Sequence, residues 1–327
     1  MTAVLASHTP VMLAQVVQAL APRDGEIYID ATFGAGGYAA AILDAAACRV
    51  VGIDRDPEAC RRAEAIVDRY RGRLRVVHGR FGDLGDVADR HRLDQINGIA
   101  FDLGVSTPQL DRAERGFSFQ KAGPLDMRMD TTSGVTAAYA VNHLPEQELA
   151  NIIYTLGEER ASRRIAAAVV RARAEAPILD TQRLAEIVRS VLPRAADRLD
   201  PATRTFQALR IWVNDELGEL DRGLVAAERL LVPGGRLVVV AFHSLEDRKV
   251  KNFLKLRSGA PARASRHLPE IVTTAAQPSF RLITKRAVRP SAREIARNPR
   301  SRSARMRAAE RTAAPVWTAP TETRRAA

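Results

Sequence analysis

The residues most suited to chemistry lie in the stretch "YIDATFGAGGYAAAIL" (28–43), where an alternating apolar segment runs into glycines and then into an alanine-rich segment. Gly34-x-Gly36-x-x-Ala39 satisfies the dinucleotide fingerprint, which tolerates Ala at its last place. The first glycine permits a tight turn, the second lets a ligand approach the backbone, and the small residues after it let a helix pack on the strand. Asp54 follows about 18 residues beyond Gly36, near the spacing at which an acid takes the vicinal hydroxyls of a ribose. The bland alternative is a glycine-rich turn with a surface Asp. The order of strand, glycines, helix and acid argues instead for a cofactor bearing adenosine. It does not choose between NAD and S-adenosylmethionine, because both carry that ribose.

These residues need elements to place them. "EIYIDATF" (26–33), "RVVGIDRD" (49–56), "LRVVHG" (74–79) and "INGIAFDLG" (96–104) are short β-branched runs separated by helical patterns near 37–46, 57–70 and 82–91. Strands alternating with helices predict a parallel sheet of βαβ units. In such a sheet ligands sit at the carboxyl ends of the strands. That places Asp102, which closes the fourth strand, near any reacting group, and Phe81 in "HGRF" where a ring could stack. For Phe81 a core aromatic, and for Asp102 a turn or cap residue, are the simpler structural readings. A fifth strand, "GRLVVVAFHS" (235–244), comes only after about 130 further residues. One helix over 203–231 covers part of that gap. A structureless loop of the remaining length is improbable, so the chain reads as residues 1–106 and 203–327 forming one domain, with an inserted helical domain at 107–202 carrying helices near 145–157, 160–176 and 181–194. "SFRLITKRAV" (279–288) reads as one or two late strands, and the Pro/Ala/Ser-rich 258–279 as a loop.

Composition excludes several classes. The hydrophobic share is 46% and the charged share 27%, values of an ordinary folded core. No run approaches a membrane span, and the first residues lack a secretory pattern. Cys48 and Cys60 form no metal-ligand pattern, so neither a metal nor a disulfide framework is expected, and a cytoplasmic setting fits. The net charge is +12. One Lys and eleven Arg from Lys285 onward, against Glu294, Glu310 and Glu322, put about +9 of it at the C-terminal end. Such a basic tail is either solvated or the footprint of a nucleic-acid binder.

Later segments select the cofactor. "LVPGGRLVVV" (231–240) resembles the entry to the fifth strand of class I methyltransferases, and "DATFGAGG" resembles their first motif. "HTPVML" (8–13), "YIDATFGAGGY" (28–38), "GIDRDP" (52–57), "DLGVSTPQLDRAERGFSF" (102–119), "GPLDMRMD" (123–130), "PATRTFQALRIWVNDEL" (201–217), "VPGGRLVVVAFHSLEDR" (232–248) and "NPRSRSARMRAAER" (298–311) together resemble one family, the bacterial 16S ribosomal RNA (cytosine-N4)-methyltransferases. The resemblance implies a Rossmann-like methyltransferase domain with a helical insert that recognises substrate. It implies S-adenosylmethionine as cofactor and methylation of the exocyclic N4 of a cytidine in the decoding region of 16S ribosomal RNA within the small subunit, and leaves a homodimer open. By motif matching it assigns cofactor contacts to Gly36, Gly37, Tyr38, Asp54, Phe81, Asp102 and Gln109. Many members carry His where this chain has Tyr38. Asp102 is the candidate acceptor for the target amine. On the substrate side the candidates are Asp126 and Arg128, for which packing with solvated charges is the simpler reading, then His243 and Ser244, and the tail residues Arg300, Arg302, Arg305 and Arg307 as phosphate contacts. Ser244 could equally cap a helix with Asp247 three residues on. Phe206, Leu209, Trp212 and Val213 recur at helical spacing and predict a core face; Arg204 and Arg210 on that segment are solvated charges on the simplest reading.

Overall fold

The computed structural model describes residues 10–192, 200–259 and 277–317. Most of the expected loop at 258–279 therefore lies outside the described residues. In chain order the elements are α1 (Leu13–Leu20), β1 (Ile27–Asp30), α2 (Gly37–Ala45), β2 (Arg49–Asp54), α3 (Pro57–Arg62), α4 (Glu64–Arg69), β3 (Leu74–His78), α5 (Leu84–His91), β4 (Ile96–Asp102), α6 (Thr107–Asp111), α7 (Ala137–His143), α8 (Glu146–Gly157), α9 (Ser162–Glu175), α10 (Thr181–Val191), α11 (Thr203–Asn214), α12 (Glu216–Leu230), β5 (Leu231–Ala241), α13 (Ser244–Arg257), β6 (Phe280–Leu282), α14 (Ala292–Arg297) and β7 (Arg305–Arg311). The chain divides into two compact units, one of Met1–Asp54, Glu58–Leu103 and Glu219–Ala327, the other of Arg55–Pro57 and Gly104–Gly218.

The first unit is built on a seven-stranded sheet in the order β3-β2-β1-β4-β5-β7-β6, the Rossmann-like arrangement of class I methyltransferases. The five central and early strands run parallel, and β7 runs antiparallel between β5 and β6. The parallel strands are covered on both faces, which is why they read as β-branched runs without clean alternation. Tyr28, Ile42, Val50 and Val238 lie in one apolar layer with Val16 and Leu20 of α1. Ile29, Ile99 and Val239 lie in the other with Leu84, Leu220, Leu224 and Leu254. The registers pair Asp30 with Gly52 and Ala100, Asp54 with His78, and Asp102 with Val240. Each of the three acids is thus the last residue of its strand, on the neighbouring strands β2, β1 and β4.

Two sequence expectations are corrected in this unit. The single helix expected over 203–231 is two helices, α11 and α12, broken at Asp215, which adopts a left-handed conformation (φ 47°, ψ 37°). The boundary expected between 202 and 203 accordingly falls between Gly218 and Glu219, because Phe206, Ala208 and Leu209 of α11 belong to the core of the second unit. The C-terminal segment is not a basic tail: up to residue 317 it folds into α14, a short 3-10 turn and β7. Met306, Ala308 and Ala309 are buried, while Arg305 and Arg307 reach the Asp247 carboxylate at 3.0 and 2.7 Å. The charged residues hid an apolar strand face. Burial works against the ionised Asp247, but the Arg307 and Arg305 guanidinium groups outweigh it and hold this acid below the usual carboxylate range.

In the second unit helices α6 to α11 enclose an apolar core that includes Leu125, Met127, Ile153, Ile165, Leu184, Phe206 and Leu209, with Trp212 and Val213 packed at its edge. The face anticipated for "PATRTFQALRIWVNDEL" is therefore a core face. A buried polar network runs through this unit. The Arg115 guanidinium donates to Asp56 at 2.9 Å and to the carbonyls of Arg128 and Met129 at 3.1 and 2.9 Å. Asn214 accepts the Met129 N–H and donates to the Met127 carbonyl, both at 2.8 Å. Asp56 is 1% and Arg115 7% exposed. Arg115→Ala removes this guanidinium from a buried carboxylate, and should cost about 3–5 kcal/mol. Arg128→Ala removes a fork whose two partners are each 22% exposed, and should cost no more than about 1 kcal/mol. Thermal unfolding of the two variants checks this ordering; equal losses would contradict the network's role.

Candidate active site at the carboxyl ends of β1, β2 and β4

The glycine turn is held from two sides. The Phe33 N–H donates to the Ile53 carbonyl at 2.9 Å, and the Gly34 N–H donates to a carboxylate oxygen of Asp54 at 2.6 Å. The Phe33 ring then lies against Gly52 and Gly36: a Cβ on these glycines would stand 2.3 and 2.7 Å from ring carbons. Gly36 also sits at φ 75°, a conformation that glycine adopts without strain. Gly37 is required for a different reason, since a Cβ there would lie 2.0 Å from Pro10. Helix α2 starts at Gly37 with no side-chain cap. Among its first donors the Ala39 N–H is taken by Asp30 at 3.1 Å. The opening of α2 is thereby suited to an anionic ligand group.

Asp30 is 1% exposed. Burial raises its pKa to about 7, against the N–H donors of Thr32 and Ala39 and with help from the charge of Asp54. Asp102 stands at the next strand end, and its N–H donates to Thr32 Oγ1 at 2.6 Å. The residue as a whole is half-buried, but its Oδ1 is buried with no hydrogen-bond partner. Burial first, and then the Asp30 charge, push its carboxyl well above the usual range, while the Tyr38 hydroxyl beside it acts in the opposite sense. The Tyr38 ring is 3% exposed and its hydroxyl donates to the Val11 carbonyl at 2.5 Å. The Tyr38 side chain is thus a buried strut between α2 and the segment before α1. Burial, followed by the charges of Asp102 and Asp30, pushes its phenol pKa up.

Phe81 follows β3. Its ring meets Phe101 edge-on at 5.7 Å and is half-buried, so it packs on the core at one edge and keeps area for a ligand. Near the end of β5, Glu246 carries the polar contacts. Its carboxylate accepts the N–H groups of Phe242 at 2.8 Å and His243 at 3.3 Å, and lies 3.1 Å from His243 Nε2. The cap of α13 is therefore His243 with Glu246, one residue earlier than a Ser244–Asp247 box; Ser244 is the first helical residue, and Asp247 serves β7.

The remaining sequence candidates divide between the units. Gln109 belongs to the second unit, is 5% exposed, and has both ends of its amide committed: the oxygen accepts the Ser106 N–H at 2.9 Å and the nitrogen donates to Asp56 at 3.0 Å. Asp126 and Arg128 form a fork at 2.8 and 2.9 Å. Burial opposes the charge on Asp126, yet the Arg128 fork keeps it below its ordinary pKa. Between them Leu125, Met127 and Met129 are core residues, so "GPLDMRMD" is a packing segment whose charges pair with each other. Arg204 is exposed, as a solvated charge, and stands 3.7 Å from Glu159, whereas Arg210 is mostly buried against Glu216 at 2.7 Å. Arg300 and Arg302 are exposed, and Arg305 is partly so with its ion pair to Asp247. Thr32 and Glu246 are site residues that the sequence reading passed over. A Thr two residues beyond a strand-ending acid, and an acid three residues beyond His243, were the available signals.

The chain was compared with known proteins. The model of the MraW methylase family matches residues 5–312. The chain is 58% identical over 310 residues to the ribosomal RNA small subunit methyltransferase H of Paramagnetospirillum magneticum, covering 95% of this chain and 97% of that protein. It is 59% identical over 309 residues to the protein of the same name from Rhodospirillum centenum, covering 94% and 93%. The counterpart from Rhodospirillum rubrum is 54% identical over 317 residues, covering 96% and 97%. A strand-end carboxylate clasping a glycine turn, a second carboxylate with an unused oxygen, and a match of this length lead to one conclusion: the chain belongs to the MraW methylase family.

Proposed function

We propose that this methylase transfers the methyl group of S-adenosylmethionine to the exocyclic N4 of a cytidine in the decoding region of 16S ribosomal RNA, within the small ribosomal subunit and in the cytoplasm. The observation that carries the reading is the buried, unpartnered oxygen of Asp102 at the carboxyl edge of the sheet, in a chain whose relatives are named for small-subunit RNA methylation. Among the described residues no helix is long and apolar enough to cross a membrane.

The residues present fit that cofactor. Asp54 accepts the Gly34 N–H through one oxygen, and its carboxylate is the proposed acceptor of the ribose hydroxyls. Gly36 and Gly37 admit the ligand to the backbone, and the opening of α2 suits its carboxylate. The exposed part of Phe81 is the surface for the adenine. The cofactor supplies an activated methyl on a cationic sulfur. The protein's part is alignment and charge. Cytosine N4 is a weak nucleophile because its lone pair is delocalised into the ring. Asp102, once ionised, accepts an N4–H bond through Oδ1, turns the lone pair toward the methyl, and offsets the positive charge that develops on nitrogen. Methyl transfer would form the N–C bond as the C–S bond breaks, leaving S-adenosylhomocysteine, and the N4 proton would pass to solvent water. The target base must stand outside any stack, as in a loop or a flipped nucleotide. The second unit is the proposed substrate-recognition domain, and Arg300 and Arg302 are proposed phosphate contacts.

The reading is tested by incubating the protein with labelled donor and small subunits from cells lacking it, then digesting the RNA. Label in N4-methylcytidine supports it; label in another nucleoside, or none, overturns it. Asp102→Asn keeps the shape and loses the charge, and should lower kcat about 100-fold or more with little change in donor affinity. An unaltered kcat would remove Asp102 from the reaction. The raised carboxyls give a further expectation. Asp30, at about 7, is largely protonated below neutrality. A sulfonium nearby would lower its pKa, so S-adenosylmethionine binding near pH 7 should release more protons than binding of S-adenosylhomocysteine, which lacks that charge. Calorimetry in buffers of different ionisation enthalpy measures the difference, which Asp30→Asn should reduce.

A further inference from the structure

Helix α9 carries Arg163, Arg164 and Arg171, and Arg160 lies in the turn before it. All four are exposed. The buried face of α9 is made by Ser162, Ile165, Ala166, Ala168 and Val169. α7, α8 and α10 pack around that helix, which leaves the arginine face outermost. Arg164 and Arg171, seven residues apart, lie on one side of it, about 10 Å apart along the axis. Ala167 stands between them, so no bulky residue interrupts the row.

Six other arginines of this unit behave differently. Arg115, Arg128, Arg183, Arg189, Arg204 and Arg210 each stand within 4 Å of a carboxylate. Among the described residues, none of the four on the α9 face has an ion pair or hydrogen bond through its side chain. Glu159, the acid one turn before Arg163, is already held by Arg204 and accepts the Ala161 N–H. A row of like charges that the fold leaves unneutralised, in a unit where six other arginines stand by carboxylates, fits an anion supplied from outside.

We propose that this face of α9 is a phosphate-binding rail for the substrate RNA, separate from the residues that hold the cofactor and the target base. Guanidinium groups suit phosphate because they donate in a fixed fork, and contacts of this kind position an RNA without reading its sequence. The inference rests on the reading that the substrate is ribosomal RNA. It adds a site in the second unit to the contacts proposed for Arg300 and Arg302.

The test uses the full chain carrying R160Q/R164Q/R171Q, substitutions that keep helix propensity and touch no core residue. Affinity for small subunits lacking the modification is measured against salt concentration, together with steady-state methyl transfer. The expected variant binds donor normally and keeps its kcat at saturating subunits. Its KM rises about tenfold at 0.1 M salt, and its log–log salt slope falls by about two, from the loss of roughly three phosphate contacts. Unchanged KM and slope, in a preparation whose wild type methylates the subunits, overturn the rail and point to an acidic protein partner for this face. Absence of methyl transfer by the wild type would instead fault the ribosomal reading, and the salt slope alone would then decide whether α9 binds RNA phosphates.

Discussion

The site depends first on one hydrogen bond, from the Gly34 N–H to the Asp54 carboxylate at 2.6 Å. It joins the turn after β1 to the end of β2, the neighbouring strand. With the Phe33 N–H on the Ile53 carbonyl, it fixes the turn so that the Phe33 ring covers Gly52 and Gly36. The turn is thus packed from beneath as well as bonded from the side. Its outer face is left open, and α2 starts in the direction set by that packing. A carboxylate already oriented by one backbone donor enters ligand binding with little rotamer freedom left to lose.

The second constraint is charge. Asp30, Asp54 and Asp102 end three neighbouring strands, and two of them are driven toward their neutral forms by burial and by one another. Such a group is expensive to ionise alone. Its cost falls when a cation enters, which is the charge that the sulfonium brings and its demethylated product lacks. On the proposed function, an ionised Asp30 would favour the donor over its product, and an ionised Asp102 would accept the amine. Tyr38 and Thr32 keep this arrangement rigid: one buries its ring beside Asp102 and ties α2 to Val11, the other receives the Asp102 N–H.

The five parallel strands were legible because both faces of each are buried, so their sequences are β-branched runs with glycine or acid at the end. The glycine turn and Asp54 were legible because spacing alone determines them. β7 was not: Arg305, Arg307 and Glu310 break the apolar pattern, and only their long-range pairing with Asp247 and the neighbouring strand makes the segment a strand. The break at Asp215 was hidden as well, since no glycine or proline marks it. In the second unit the resemblance put Asp126 and Arg128 on the substrate side, whereas they pair with each other. Sequence shows which residues can carry charge. It does not show which of them the fold has already neutralised, and that difference separates Arg115 from Arg164.

On the proposed function Asp54 holds the ribose hydroxyls while it holds Gly34. The most direct measurement is a cycle of four dissociation constants: S-adenosylhomocysteine and its 2′-deoxy analogue, each titrated into the wild type and Asp54→Ala. The account predicts that loss of the hydroxyl weakens binding to the wild type by about tenfold, a share of one hydrogen bond to a charged group, and has little effect on the variant. An equal penalty in both proteins would contradict it.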